Sequence, residues 1–234
     1  MLLGLSVSAT PVNIELLLLV DVSGSVDASE FATQRGGYVA AFQDPAVQAL
    51  IEGNPGGIAA AFGYWSGASQ QQLAVGWTHL ENAADAIAFA NAINATTRPY
   101  SGLTAVQSAL AWGVPLFNNN GFEGNKLIID ISGDGVDNNS PAGLLPTGGR
   151  DAASMAGIIV NGLPIGGNAI TNYYTNNVIT GAGSFVLPVN GFADFETAVS
   201  RKIFVELGGE IPEPSTYAMI GVGLAALGFI RRRK

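Results

Sequence analysis

The sequence predicts an α/β domain. Its central sheet is doubly wound and mostly parallel with one antiparallel strand, and a single C-terminal transmembrane helix follows it. Three observations lead there. Ile14 to Asp21 and Asn125 to Ser132 are apolar runs without alternation, as strands buried on both faces require. Segments of helical periodicity separate the strand-like runs, the pattern of a sheet wound by right-handed crossovers. From Ser215 the composition changes, and an apolar stretch closes on Arg231, Arg232, Arg233 and Lys234.

The elements follow in order. After the first apolar run a helix starts at Asp27, with Glu30 three residues on to complete a capping box. Residues 56–65 and 72–77 read as strands joined by the turn Ser66-Gly67-Ala68, and this hairpin supplies the antiparallel member. Amphipathic helices are expected over 81–95 and from about Thr104 to 117. The second apolar strand comes next. A helix at 150–157 feeds a strand at 158–165, residues 185–189 form a short edge strand, and 192–207 a closing helix. No repeat of domain-building length is present, and no linker interrupts the chain before about Gly208. The expected organisation is a truncated signal peptide over 1–11, one domain over 12–208 and a tail over 209–234.

Composition narrows the function. The chain of 234 residues is 48% hydrophobic, so a substantial core forms. It has no Cys, which excludes thiolate metal sites, a cysteine nucleophile and a disulfide framework. The net charge is −8, but four of the ten basic residues are the last four. Residues 1–214 therefore hold six basic against eighteen acidic residues. A body that acidic argues against nucleic-acid binding, which needs clustered Lys and Arg to replace phosphate counterions.

The two ends point to export. Ser215 to Ile230 is sixteen residues, roughly 24 Å as a helix at ~1.5 Å per residue. That is short for a bilayer core of ~30 Å. The stretch has no polar face and carries Gly221, Gly223 and Gly228, which a membrane helix tolerates. The basic end fits the positive-inside rule. Upstream, Pro212 and Pro214 keep Glu210 to Thr216 extended. Pro212-Glu213-Pro214, a short apolar helix and an arginine cluster, in that order, resemble the PEP-CTERM sorting signal. The resemblance implies export by a Gram-negative bacterium that makes exopolysaccharide. It also implies processing by an exosortase-type membrane protease with Pro212, Glu213 and Pro214 as the recognition element. Residues 215–230 would anchor the chain in the inner membrane transiently, before release to the cell surface or extracellular matrix. At the other end, Val7-Ser8-Ala9 offers a cleavage site behind a short apolar stretch without a basic start, as if translation began further upstream.

The chemistry-bearing residues gather at strand ends. Asp21, Ser23 and Ser25 lie in the turn that ends the first apolar strand, and Asp134 follows the second. In open α/β sheets ligands bind outside the carboxyl ends of the strands. One carboxylate and two hydroxyls in five residues are oxygen donors suited to a hard cation such as Mg²⁺. Thr104 sits at a predicted helix start. Asp-x-Ser-x-Ser, a later Thr and an Asp after a buried strand resemble the metal-ion-dependent adhesion site of von Willebrand factor A domains. These are Rossmann-like, and the resemblance spans residues 14–207. The stretches at 21–27, 35–47, 129–139 and 158–165 further resemble an uncharacterised exported bacterial family of von Willebrand A-like proteins. The resemblance implies that Asp21, Ser23, Ser25, Thr104 and Asp134 hold one Mg²⁺ or Mn²⁺, directly or through water. It implies adhesion rather than catalysis, the partner being a protein or an acidic polysaccharide.

Other readings of the same residues remain open at this level. Asp21 and Asp134 have a purely structural reading as cap and turn residues, and Thr104 as a plain N-cap. Asp137, Asn138 and Asn139 read as turn formers, and Trp65, Trp77 and Trp112 as core or domain-edge residues. His79 is the single His, so any Ser-His-Asp triad would need it. The enzymatic alternative is a haloacid-dehalogenase-like phosphatase with Asp21 as nucleophile. Its general acid would stand two residues on, where this chain has Ser23, whose proton is held too tightly for the task.

Overall fold

The computed structural model describes residues 8–210. The expected signal peptide therefore lies largely, and the apolar span with its Pro-Glu-Pro motif wholly, outside the described residues. No helix among the described residues is long and apolar enough to cross a membrane.

Five strands form one sheet: β1 (Thr10–Asp21), β2 (Ile58–Trp65), β3 (Gln71–Leu80), β4 (Phe122–Gly133) and β5 (Ile159–Pro164). Their order is β3-β2-β1-β4-β5, with β3 alone antiparallel. β1 is central because its middle, Leu16 to Val20, is apolar on both faces. Leu16, Leu18 and Val20 enter one core cluster, and Leu17 and Leu19 enter the other. Successive side chains point to opposite faces of a strand, so a continuous apolar run lines both.

The first cluster is covered by α1 (Ala28–Gln43), α2 (Pro45–Gly53), α3 (Ala83–Asn94) and α7 (Phe195–Glu206). The second is covered by α4 (Val106–Gly113), α5 (Gly148–Met155) and α6 (Asn168–Asn177). α1 starts as its sequence requires. Asp27 Oδ1 accepts the Glu30 N–H at 2.8 Å, and Glu30 Oε2 accepts the Asp27 N–H at 2.8 Å.

Three details differ from expectation. Residues 185–189 make isolated bridges rather than a strand, Val186 to Gly162 of β5 and Val189 to Ile165 just beyond it. Pro188 has no N–H, so the ladder cannot run continuously. α2 and α6 are additional helices. α2 begins on its own signals, with Asp44 Oδ1 accepting the Ala46 N–H and Pro45 at its start. α6 is rich in Asn and Thr and has no side-chain cap, so no local signal marks it.

The chain passes from β1 to β2 on one side and reaches β4 on the other. The carboxyl ends of β1 and β4 therefore frame the topological switch point, where a crevice opens above the sheet. Asp21 pairs with Trp65 of β2, and Val20 with Ser132 of β4. Asp134 thus begins its loop beside Asp21.

Candidate metal centre

All five sequence-predicted residues come together at this edge. Asp21 closes β1 and is fully buried. Its Oδ1 accepts the Ser23 N–H at 2.7 Å, which folds the turn back over the strand end. Ser23 Oγ lies 3.1 Å from Ser25 Oγ, and Ser25 donates to Asp134 Oδ1 at 2.6 Å. Thr104 Oγ1 donates to Ser23 Oγ at 3.3 Å. Four hydroxyl or carboxylate groups from three loops thus form one connected chain beside Asp21. Thr104 does not cap α4, whose N-cap position is Ala105 without a side-chain bond. Asp21 does not cap α1, a role Asp27 fills.

The electrostatics are those of a site short of positive charge. Asp21 Oδ2 is buried without a hydrogen-bond partner among the described residues. Burial pushes the Asp21 carboxyl up to about 7, against the lowering effect of the Ser23 hydrogen bonds. The Asp134 N–H lowers it least and lies near the carboxylate without meeting hydrogen-bond geometry. Asp134 is raised too, first by burial, with the Ser25 hydrogen bond opposing and the charge of Glu30 adding. Two carboxylates disfavoured as anions, one with an orphaned oxygen, sit among three hydroxyls. A small hard cation would satisfy all of them, so these residues fit Mg²⁺ or Mn²⁺. No group of three or more His, Cys, Asp or Glu occurs among the described residues. A metal here would rest on hydroxyls and water beside its two carboxylates.

Further residues hold the loops in place. Asn138 Oδ1 accepts the Thr104 N–H at 3.0 Å, and the Asn138 N–H donates to the Thr104 carbonyl at 2.9 Å. Asp137 Oδ2 accepts the Gln107 N–H at 2.7 Å, and Ser140 Oγ accepts the Ser108 N–H at 2.9 Å. The loop after β4 thereby caps α4 from outside its own sequence. Asn139 Oδ1 accepts the Ala68 N–H at 2.9 Å, tying in the β2–β3 turn. The Arg98 guanidinium donates to the carbonyls of Val22 and Ser23 at 3.0 and 2.8 Å. Below the site, a Cβ on Gly133 would fall 2.7 Å from Tyr174 Oη, 2.8 Å from Asp21 Oδ2 and 3.0 Å from Trp65 Cζ2. Trp65 is fully buried, so its reading as a core residue holds. Asp137, Asn138 and Asn139 are more than turn formers, because their side chains reach across to other loops. Arg98 gave one signal, as one of six basic residues in an acidic body.

The catalytic alternatives find no partners here. His79 lies on β3 with Nε2 2.8 Å from the Gly56 carbonyl oxygen, at the opposite end of the sheet. Lys126, the lysine that a phosphatase reading would set against phosphate, pairs with Ile14 in register, seven residues before Asp21, and is exposed. Neither reaches Asp21.

A mixed five-stranded sheet with this oxygen cluster at its switch point defines a von Willebrand A-like α/β domain. The chain belongs to the DUF1194 family of proteins of unknown function, whose profile matches residues 11–211. Residues 210–234 match the PEP-CTERM protein-sorting motif, which implies export and exosortase-type processing. Among solved structures, the chain resembles proximal thread matrix protein 1 of the mussel byssus, solved with a zinc-occupied MIDAS motif. The TM-score is 0.60 and the identity 13%, covering 83% of this chain and 46% of that one. The pilus adhesin SpaC of Lactobacillus rhamnosus GG matches with a TM-score of 0.59 and 15% identity, over 83% of this chain and 30% of that one. The vWF domain of the type V pili tip protein Mfa5 from Porphyromonas gingivalis matches with a TM-score of 0.57 and 11% identity, over 86% of this chain and 98% of that one. The chain thus spans under half the length of the mussel protein and under a third of the SpaC adhesin. Such identities speak for the fold. A comparison with functionally curated proteins finds no match.

Proposed function

We propose that this is an exported, surface-sorted binding protein that engages its partner through a divalent cation. The observation that carries this reading is the connected set Thr104–Ser23–Ser25–Asp134 beside the orphaned Oδ2 of Asp21. Asp21, Ser23, Ser25, Thr104 and Asp134 would hold one Mg²⁺ or Mn²⁺. Bound there, the cation supplies a Lewis-acidic position for an acidic side chain or acidic sugar of the partner. The protein's own residues do the positioning. Asn138 fixes the Thr104 backbone, Arg98 fixes the Val22–Ser23 backbone, and Asp137 ties the β4 loop to α4. The likeness to a matrix protein and to pilus adhesins supports binding over catalysis.

The tail reading completes the proposal. Residues 12–208 form the binding domain. Residues 215–230 hold it transiently at the inner membrane until an exosortase-type protease cuts near Pro212-Glu213-Pro214. The mature protein then resides at the cell surface or in the extracellular matrix.

Titration calorimetry with Mn²⁺ tests the site. Wild type is expected to bind one cation, and Asp21→Ala to bind none while keeping its circular dichroism spectrum. Absence of binding to wild type would remove the site assignment. Phosphoester hydrolysis abolished by Asp21→Asn would replace adhesion with the phosphatase reading.

A further inference from the structure

A second buried polar cluster lies inside the domain, away from the cation site. Lys202 of α7 and Asp130 of β4 are both fully buried, with Nζ and Oδ2 2.8 Å apart. Lys202 Nζ also lies 2.7 Å from Glu206 Oε1. Asn161 of β5 donates from Nδ2 to the same Oε1 at 2.9 Å, and its Oδ1 accepts the Phe185 N–H at 3.1 Å. The Phe185 ring covers the ammonium, its centroid 5.7 Å from Nζ.

This arrangement is poorly explained as a stabilising ion pair. Two carboxyl groups share one ammonium, and all three side chains are shielded from bulk solvent. Among the described residues the Lys202 ammonium is the one charge that contacts Asp130, and no other group donates a hydrogen bond to either of its oxygens. Glu206 Oε2 is likewise without a partner. Buried ions usually need their remaining lone pairs satisfied, or desolvation outweighs their attraction. An amine and a carboxyl in contact, dry, beside a second carboxyl, are the components of an amide-forming centre.

We propose that Lys202 and Asp130 join through an isopeptide bond between Nζ and Cγ, with Glu206 as the proton carrier. The balance is closed. The ammonium passes one proton to the Asp130 carboxylate, giving a neutral amine and a neutral acid. The Nζ lone pair attacks Cγ. A second proton leaves Nζ for the Glu206 carboxylic acid, which delivers its own proton to the departing hydroxyl. The C–O bond breaks and one water is released. Ammonium plus carboxylate become amide plus water, with no oxidant or reductant. Glu206 ends as it began. Burial, with the neighbouring Asp130 charge adding, raises Glu206 to about 8, so it holds the proton it must relay near neutral pH. The product removes two charges from a dry interior.

The bond would fasten α7 to β4, next to the central strand of the sheet. Asp130 lies four residues before Asp134 on that chain segment, and α7 is the last helix before the sorting motif match at residue 210. While the tail still anchors the chain, pull applied through it would reach the strand carrying the proposed site without unpeeling α7.

Trypsin digestion and tandem mass spectrometry of the full-length protein, held for several days at neutral pH, decide the matter. Cleavage after Lys126 and Arg150 releases residues 127–150, and cleavage after Arg201 releases a peptide starting at Lys202. The expected product is a branched species of these two peptides, lighter by one water, with no cleavage after Lys202. Glu206→Gln is expected to give the unbranched peptides, with circular dichroism showing an unchanged fold. Recovery of unlinked 127–150 alongside complete cleavage after Lys202 in wild type would overturn the proposal. A water loss confined to the Lys202 peptide would indicate a lactam with Glu206 instead and overturn the Asp130 assignment. A branch to residues 151–201 would point to Asn161 and do the same.

Discussion

Replacing Asp21 with Asn separates the stability role of this carboxyl from its proposed role as a cation ligand. In the cation-free protein, burial lifts the Asp21 carboxyl from 3.8 to about 7. A raised carboxyl holds its proton in the folded state over a pH range where the unfolded chain has lost it. Folding stability therefore falls as pH rises from about 4 through about 7, and the full penalty applies above that. A shift of roughly three units corresponds to about 4 kcal/mol. The group is completely buried, so solvent screening does not reduce this. Asn keeps the acceptor for the Ser23 N–H and carries no charge. Asp21→Asn in EDTA should exceed wild type in stability at pH 8, by up to about 4 kcal/mol, and approach it near pH 4. Adding Mg²⁺ at pH 8 should stabilise wild type and leave the variant unchanged. Urea denaturation at both pH values, with EDTA and with Mg²⁺, measures all four quantities. A variant less stable than wild type at pH 8 in EDTA would refute the argument from burial. Equal stabilisation of both proteins by Mg²⁺ would refute Asp21 as a ligand.

Three further outcomes are expected. Gly133→Ala forces a Cβ against Tyr174 Oη, Asp21 Oδ2 and Trp65; it should cost ~1–3 kcal/mol in urea denaturation and weaken Mn²⁺ binding, and unchanged affinity would show that Asp21 has not been displaced. Asn138→Ala leaves the Thr104 N–H without its acceptor, costing ~1–3 kcal/mol; calorimetry should show weaker Mn²⁺ binding, and wild-type affinity would mean Thr104 is not a ligand. Intact mass spectrometry of protein from a host with an exosortase-type protease should find a mature species lacking Arg231 to Lys234, whereas a mature chain that retains them would make the tail a permanent anchor.

The parts of the fold legible in the sequence were those governed by local rules. The apolar run at 14–21 could be accommodated only at the centre of the sheet, and Asp27 with Glu30 announced α1 directly. Asp21, Ser23, Ser25 and Asp134 were legible because they follow strand ends, which the apolar runs mark, and Thr104 because it precedes an expected helix. Interactions between distant segments were not legible. α4 takes its cap from Asp137 and Ser140, some thirty residues away, so nothing in the sequence around Thr104 marks it. Arg98 touches only backbone carbonyls, and carbonyls leave no trace in a sequence. Lys202, Asp130 and Glu206 read as ordinary helix and strand residues until the packing of α7 on the sheet brought them together.

The hydrogen bonds that assemble the proposed cation site bridge long stretches of chain. Thr104 and Ser23 are 81 residues apart in sequence, and Ser25 and Asp134 are 109 apart. Closing such loops is the slow, late part of folding, because their entropy cost precedes their reward. The site therefore does not exist in a partly synthesised chain or in one threading a membrane unfolded. Any fragment that stops short of Asp134 lacks it altogether. Cation capture would thus report completed folding, and would take place in whichever compartment folding is finished. For an exported protein, the divalent ions of the outside medium, rather than those of the cytoplasm, would then set its occupancy.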